Sequence, residues 1–163
     1  MHVTIEHVFE GIWPSAYEVL YFDETFNESL GRHLHMGRKL VRLDRTHDRI
    51  VRHVRYEPVQ ATGSEAKQVF GSSRASFLEE LDYDLRTRHG EWRTVPNIFP
   101  ERVKNTGTIA FLDDAAGTKR IVEADAIVKL FGFGGRVEKI MVREIVKNYE
   151  AAAAFTREWL ATH

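Results

Sequence analysis

The sequence predicts an α+β fold in which one long C-terminal helix lies across a curved antiparallel sheet. Two observations carry that prediction. Gly134 to Leu160 contains no proline, and Val137, Met141, Ile145, Asn148, Ala152, Phe155 and Trp159 recur in it at spacings of three and four. Such spacing sets one stripe of side chains along a helix, with Glu138, Lys139, Arg143, Lys147, Glu150 and Arg157 mostly elsewhere around it. Most of the remaining chain alternates apolar and polar residues with the period of two that marks strands. A helix of this length buries its stripe only against something broad, and the strands supply that surface.

The elements follow in order. Val3 to Phe9 alternates, with Val3, Ile5, His7 and Phe9 on one face. Trp13-Pro14-Ser15-Ala16 reads as a helix start, because proline suits a first turn and Ala16, Val19, Leu20 and Tyr21 follow at helical spacing. A second short helix begins at Asp23 as cap, with Phe26, Leu30 and Leu34 inward, although Gly31 weakens it. Lys39 to Arg45 and Arg49 to Glu57 form a hairpin turning at His47-Asp48, in which Val41 and Leu43, then Ile50, Val54 and Tyr56, fall between charged neighbours. Val59 to Ser73 is a long loop with room for a short element at Glu65 to Phe70, and loops of this length are usually functional.

Phe77 to Arg88 is the clearest strand, with Phe77, Glu79, Leu81, Tyr83 and Leu85 on one face and Glu80, Asp82, Asp84 and Arg86 on the other. His89-Gly90 then turns the chain into a strand over Glu91 to Ile98, and Val103 to Leu112 pairs with Lys119 to Lys129 around Asp113 to Gly117. On that last strand Ile121, Glu123, Asp125 and Ile127 share one face and Val122, Ala124 and Ala126 the other; the pattern leaves open which turns inward. No repeat or linker divides the chain, so one domain spans residues 1–163.

Composition narrows the function classes. With 23 basic and 24 acidic residues, no global field recruits nucleic acid or anionic membrane. No apolar run is long enough to span a bilayer, and the first residues lack the layout of a signal peptide, so the expected location is the cytoplasm. The absence of cysteine removes disulfides, thiolate metal sites and cysteine nucleophiles.

The order strand, two short helices, six antiparallel strands and long helix, with Phe131-Gly132-Phe133-Gly134-Gly135-Arg136-Val137-Glu138 leading into a helix that closes on Glu158-Trp159-Leu160, resembles the START-like (SRPBCC) superfamily. Within it the chain looks most like an uncharacterised bacterial family of unknown function. The resemblance implies the helix-grip fold: a seven-stranded antiparallel sheet wrapped around the C-terminal helix, two short helices between strands 1 and 2, and a deep apolar cavity between sheet and helix. It implies no shared catalytic residue.

Several stretches invite sharper readings. Arg32 to Arg55 holds eight Lys or Arg against Asp44 and Asp48, as a nucleic-acid or headgroup patch would. Yet Arg42, Arg49 and Arg55 read as the solvent face of a hairpin, where Glu80, Asp82 and Asp84 of the next strand form cross-strand pairs with them. His33-x-His35 has no helix face in common and no third ligand at a diagnostic spacing, so no metal is expected. Gly132-Phe133-Gly134-Gly135 lacks a dinucleotide fingerprint and is ascribed to tight packing of the helix start, so no cofactor is expected. Glu79 and His7 stand on apolar faces, where a titratable group must be paired, neutralised or hydrated.

The expected ligand site is lined by Ile5, His7, Phe9, Phe77, Glu79, Leu81, Tyr83, Trp92, Met141, Ile145, Tyr149 and Ala152. The expected partner is a lipophilic small molecule, a lipid or aromatic metabolite. Two alternatives stay open: a cyclase-like or hydrolase-like enzyme using Glu79, His7 or Tyr83 as acid–base groups, and an interaction module with a filled cavity.

Overall fold

A computed structural model describes residues 1–58 and 75–163; the expected loop, with its short element and any lid, lies outside them. The elements are β1 (His2–Glu10), α1 (Pro14–Tyr21), α2 (Glu24–His33), β2 (Met36–Arg45), β3 (Arg49–Pro58), β4 (Phe77–Asp84), β5 (His89–Pro96), β6 (Val103–Asp114), β7 (Gly117–Val128) and α3 (Gly134–Thr162). The seven strands form one sheet in the order β1-β7-β6-β5-β4-β3-β2 with every pairing antiparallel, and α3 packs over β7 and β1. This is the helix-grip architecture.

Local chemistry explains the short helices. Pro14 opens α1, and the Asp23 carboxylate caps α2 by accepting from the Phe26 N–H at 2.7 Å. Gly31 is tolerated in α2 because its Cα faces β2, where an added Cβ would sit 3.3 Å from the Met36 carbonyl. Gly134 marks a still closer approach: an added Cβ would fall 2.4 Å from the Val128 carbonyl. Glu138, one turn on, accepts from the Val128 N–H at 2.9 Å. The glycine-rich segment therefore binds the start of α3 to the end of β7.

Some expectations are corrected. β4 ends at Asp84, the turn is Leu85 to Arg88 with Arg88 at φ 51°, and His89 and Gly90 already belong to β5. Val19 of α1 is exposed, and Tyr17 is buried with Pro14, because α1 presents its aromatic side to the sheet. Val41 and Leu43 are exposed as well: Val41 falls in the register shift between Leu40 and Arg42, and Leu43 lies on the outermost strand at the sheet edge. The open question on β7 is settled: Val122, Ala124 and Ala126 are buried, and Glu123 and Asp125 point outward.

The basic hairpin keeps part of its ladder. Arg49 pairs with Asp82 across β3 and β4. Arg42 instead pairs with Asp44 on its own strand, Arg86 takes Asp84, and Glu80 pairs with Arg93 of β5. With β2 at the sheet edge, its arginines sit one strand too far from β4 to reach those acids.

Candidate functional site

Which residues meet α3 is decided by strand alternation. β3 turns Ile50, Arg52, Val54 and Tyr56 inward, β4 Glu79, Leu81 and Tyr83, β5 Trp92 and Thr94, β6 Asn105, Ile109 and Phe111, and β7 Thr118, Arg120, Val122, Ala124 and Ala126. Antiparallel register then sorts these side chains to two ends. Ile50↔Tyr83, Tyr83↔Gly90 and Phe111↔Arg120 lie near α1, whereas Tyr56↔Phe77 and Thr94↔Asn105 lie at the opposite end.

The α1 end is filled. Phe9 stacks on Tyr17 at 4.7 Å, and Phe111 meets Tyr17, Tyr21 and Tyr83 at 4.9, 5.0 and 5.6 Å. The opposite end is hollow. A cavity of about 200 Å³ lies between sheet, α2 and α3, with Leu30, Leu34, Phe77, Trp92, Ile145 and Ala152 as apolar wall. A second hollow of about 220 Å³ shares Phe77, Thr94, Asn105, Ile145 and Asn148 with it and continues to Ile98, Val103, Met141 and Glu144. Trp92 makes part of the floor by lying over Gly107 of β6, where an added Cβ would come within 2.5 Å of the indole ring, and its Nε1 donates to the Thr108 carbonyl at 3.2 Å.

Among the described residues, positive charge enters the wall through three arginines and negative charge through Glu79. Arg38 is neutralised by a two-pronged bond to Glu24 at 2.6 and 3.0 Å. Arg52 is 3% exposed, lies over the rings of Tyr21 and Phe22, donates to the Tyr21 carbonyl at 3.4 Å and stands 3.6 Å from Glu79. Arg120, also 3% exposed, donates to the Tyr17 hydroxyl at 3.2 Å and to His7 Nδ1 at 3.0 Å, over the rings of Phe9 and Tyr149. An arginine only donates, so His7 Nδ1 must accept and the ring proton sits on Nε2, 3.0 Å from Glu150. Burial and the Arg120 charge both push the His7 pKa down, outweighing Glu150, which keeps the ring neutral. Tyr21, Tyr56 and Tyr149 also line the cavity, and burial raises their phenols, which stay protonated.

Of the expected lining residues, Phe77, Glu79, Trp92, Ile145, Tyr149 and Ala152 border the first cavity and Met141 the second. Ile5, Phe9, Leu81 and Tyr83 do not: they belong to the close-packed cluster near α1. His7 is buried behind Arg120, and the Tyr83 hydroxyl donates to Glu18 at 2.6 Å. A shared strand face does not mean shared surroundings, because one face runs through both the filled and the hollow end.

Sequence reasoning missed Arg52 and Arg120. The signal was present for Arg52, which holds the inward position between Ile50 and Val54. Arg120 shares its face with Thr118 and Val122, the face the pattern left undecided. Among the described residues, no group of three or more His, Asp or Glu is arranged to hold a metal, and no helix is long and apolar enough to cross a membrane.

Solved structures repeat this architecture. TTHA0849 from Thermus thermophilus superposes with a TM-score of 0.67 at 20% identity, over 100% of both chains. The ZhuI aromatase/cyclase from Streptomyces sp. R1128 gives 0.59 at 13% identity, covering 97% of this chain and 93% of its own. The di-domain aromatase/cyclase StfQ of the steffimycin biosynthetic pathway gives 0.61 at 15% identity, covering 97% of this chain and 50% of its own. At such identities the likeness establishes the fold alone. No curated protein matches the sequence. Residues 44–160 match the family described as "Protein of unknown function (DUF2505)", and the chain belongs to that family.

Proposed function

We propose that this chain is a START-like domain over residues 1–163 that binds a lipophilic small molecule in the cytoplasm, as a carrier or sensor. One observation carries the reading: two contiguous hollows between sheet and α3, walled mainly by apolar side chains with a few converging polar groups. The aromatase/cyclase neighbours support it at the level of fold, since theirs is a related scaffold that handles an organic substrate.

A cyclase-like or hydrolase-like activity is less well supported. Of Glu79, His7 and Tyr83, only Glu79 borders the hollow; the other two are occupied by Arg120 and Glu18. An interaction module with a filled cavity is disfavoured by the hollows themselves. Native mass spectrometry of freshly purified protein, beside titration with the neutral fluorescent probe N-phenylnaphthylamine, tests the reading. A co-purified small molecule, or saturable probe binding displaced by apolar competitors, is the expected result. The absence of both a co-purified molecule and probe binding would overturn it.

A further inference from the structure

Two buried guanidiniums on one cavity wall need an explanation, because taking a charge out of water is costly unless a counter-charge meets it. Arg38 has its counter-charge in Glu24. Among the described residues, the hydrogen-bond acceptors of Arg120 are all neutral: His7 Nδ1, the Tyr17 hydroxyl, and the Tyr149 carbonyl at 3.4 Å. Arg52 has the Tyr21 carbonyl and, at 3.6 Å, Glu79. Ring faces beside both arginines offset only part of the desolvation. Among the described residues, polar atoms left without a hydrogen-bond partner also concentrate here: Nε of Arg38, Arg52 and Arg120 and Oδ1 of Asn105 all belong to residues of the first cavity. Beyond the Arg38–Glu24 pair, the described residues of the wall thus carry two guanidiniums against one carboxylate, Glu79.

We infer that the cavity takes an amphiphilic organic monoanion, a carboxylic acid on an apolar body, with its carboxylate directed to Arg52 and Arg120. The inference rests on the cavity-binding reading and adds the ligand's charge and orientation. A single negative charge balances the wall, whereas a dianion would leave a surplus buried negative charge. Tyr21, Tyr56 and Tyr149 line the same cavity, so their phenols are within the set of donors a carboxylate could meet. The apolar body then extends into the second hollow, past Ile98, Val103 and Met141. The reverse orientation is disfavoured, because it would bring the carboxylate beside Glu144.

The test is calorimetric titration of the full chain, at neutral pH, with straight-chain acids from hexanoate to dodecanoate and the alcohols of matching length. The acid of best-fitting length should bind at least about ten-fold tighter than its alcohol, the effect of one charge-assisted hydrogen bond or more. Arg120→Met and Arg52→Met should remove that preference and leave alcohol binding in place. Glu79→Gln should strengthen acid binding by removing the competing carboxylate, and it keeps the proposal testable if an arginine variant fails to fold. Equal affinity for acid and alcohol in the wild type would overturn the anion preference while leaving the cavity reading intact. A Glu79→Gln variant that binds the acid no more tightly would also count against it. Binding of neither acids, alcohols nor N-phenylnaphthylamine would overturn the cavity reading and this inference together.

Discussion

Under α1, the sheet is filled by rings: Phe9, Tyr17, Phe111 and Tyr83 contact one another within 6 Å between centroids. Beyond Trp92, the same strands and the same long helix enclose open space, with Arg52, Glu79 and Arg120 along its border. The helix spans both regions, so the difference comes from what lies between helix and sheet. Near α1 that layer is supplied by α1 itself, whose Tyr17 is buried on Phe9 and Phe111. At the far end α2 forms a wall of the cavity, through Asn27, Leu30 and Gly31, without filling the space between sheet and α3. The sheet is packed where a ring from α1 is wedged between it and α3, and hollow where α2 supplies only a wall.

Truncation should separate the two ends most sharply. Phe111→Ala removes a fully enclosed ring and should cost about 3–5 kcal/mol in denaturant unfolding. Met141 borders the second hollow and is only partly buried, so Met141→Ala should cost less than about 2 kcal/mol in ligand-free protein. Equal losses at the two positions would break the comparison. Between these lies Tyr83→Phe, which leaves the ring in place but takes the hydroxyl from Glu18. That bond to a mostly buried carboxylate should be worth about 1.5–3 kcal/mol, read from the unfolding midpoint.

A pH profile probes the border. The folded-state pKa of His7 lies below the ordinary histidine value near 6.5, so the unfolded chain takes up this proton first as pH falls. The His7 contribution to stability is therefore complete above about pH 6.5 and is lost as pH drops through the lowered folded value. His7→Asn, which keeps an acceptor near Arg120 but does not titrate, should flatten the stability profile in that window. An unchanged profile would show that His7 does not couple to folding. The smallest effect is expected on the outer face of the sheet. Arg49→Ala, which removes the exposed pair with Asp82, should leave the unfolding midpoint unchanged, and binding to generic duplex DNA should stay weak at physiological salt.

The legible parts of the sequence were those governed by periodicity. The stripe from Val137 to Trp159 announced α3, and the alternation from Phe77 to Tyr83 announced β4 and the inward aim of Glu79. Turn placement was less secure: His89 and Gly90 look like a turn, yet a positive φ at Arg88 closes the hairpin one residue earlier. The candidate site was half legible. Phe77, Glu79, Trp92, Ile145, Tyr149 and Ala152 reach the cavity, while Ile5, Phe9, Leu81 and Tyr83 share their strand faces but not their surroundings.

The sequence by itself determined the elements and the inward residues of most strands, because backbone geometry enforces periods of 3.6 and 2 within each segment. It also determined the expectation of an open grip, through the likeness of its element order to the START-like superfamily. Tertiary structure alone decided which length of each inward face is packed and which is hollow. It also decided that Arg120, on a strand whose orientation the pattern left open, meets His7, Tyr17 and Tyr149 beside the cavity. Tyr17, His7 and Tyr149 lie 103, 113 and 29 residues away along the chain. No local pattern encodes such a meeting, since strand register and the position of α1 and α3 over the sheet together create it.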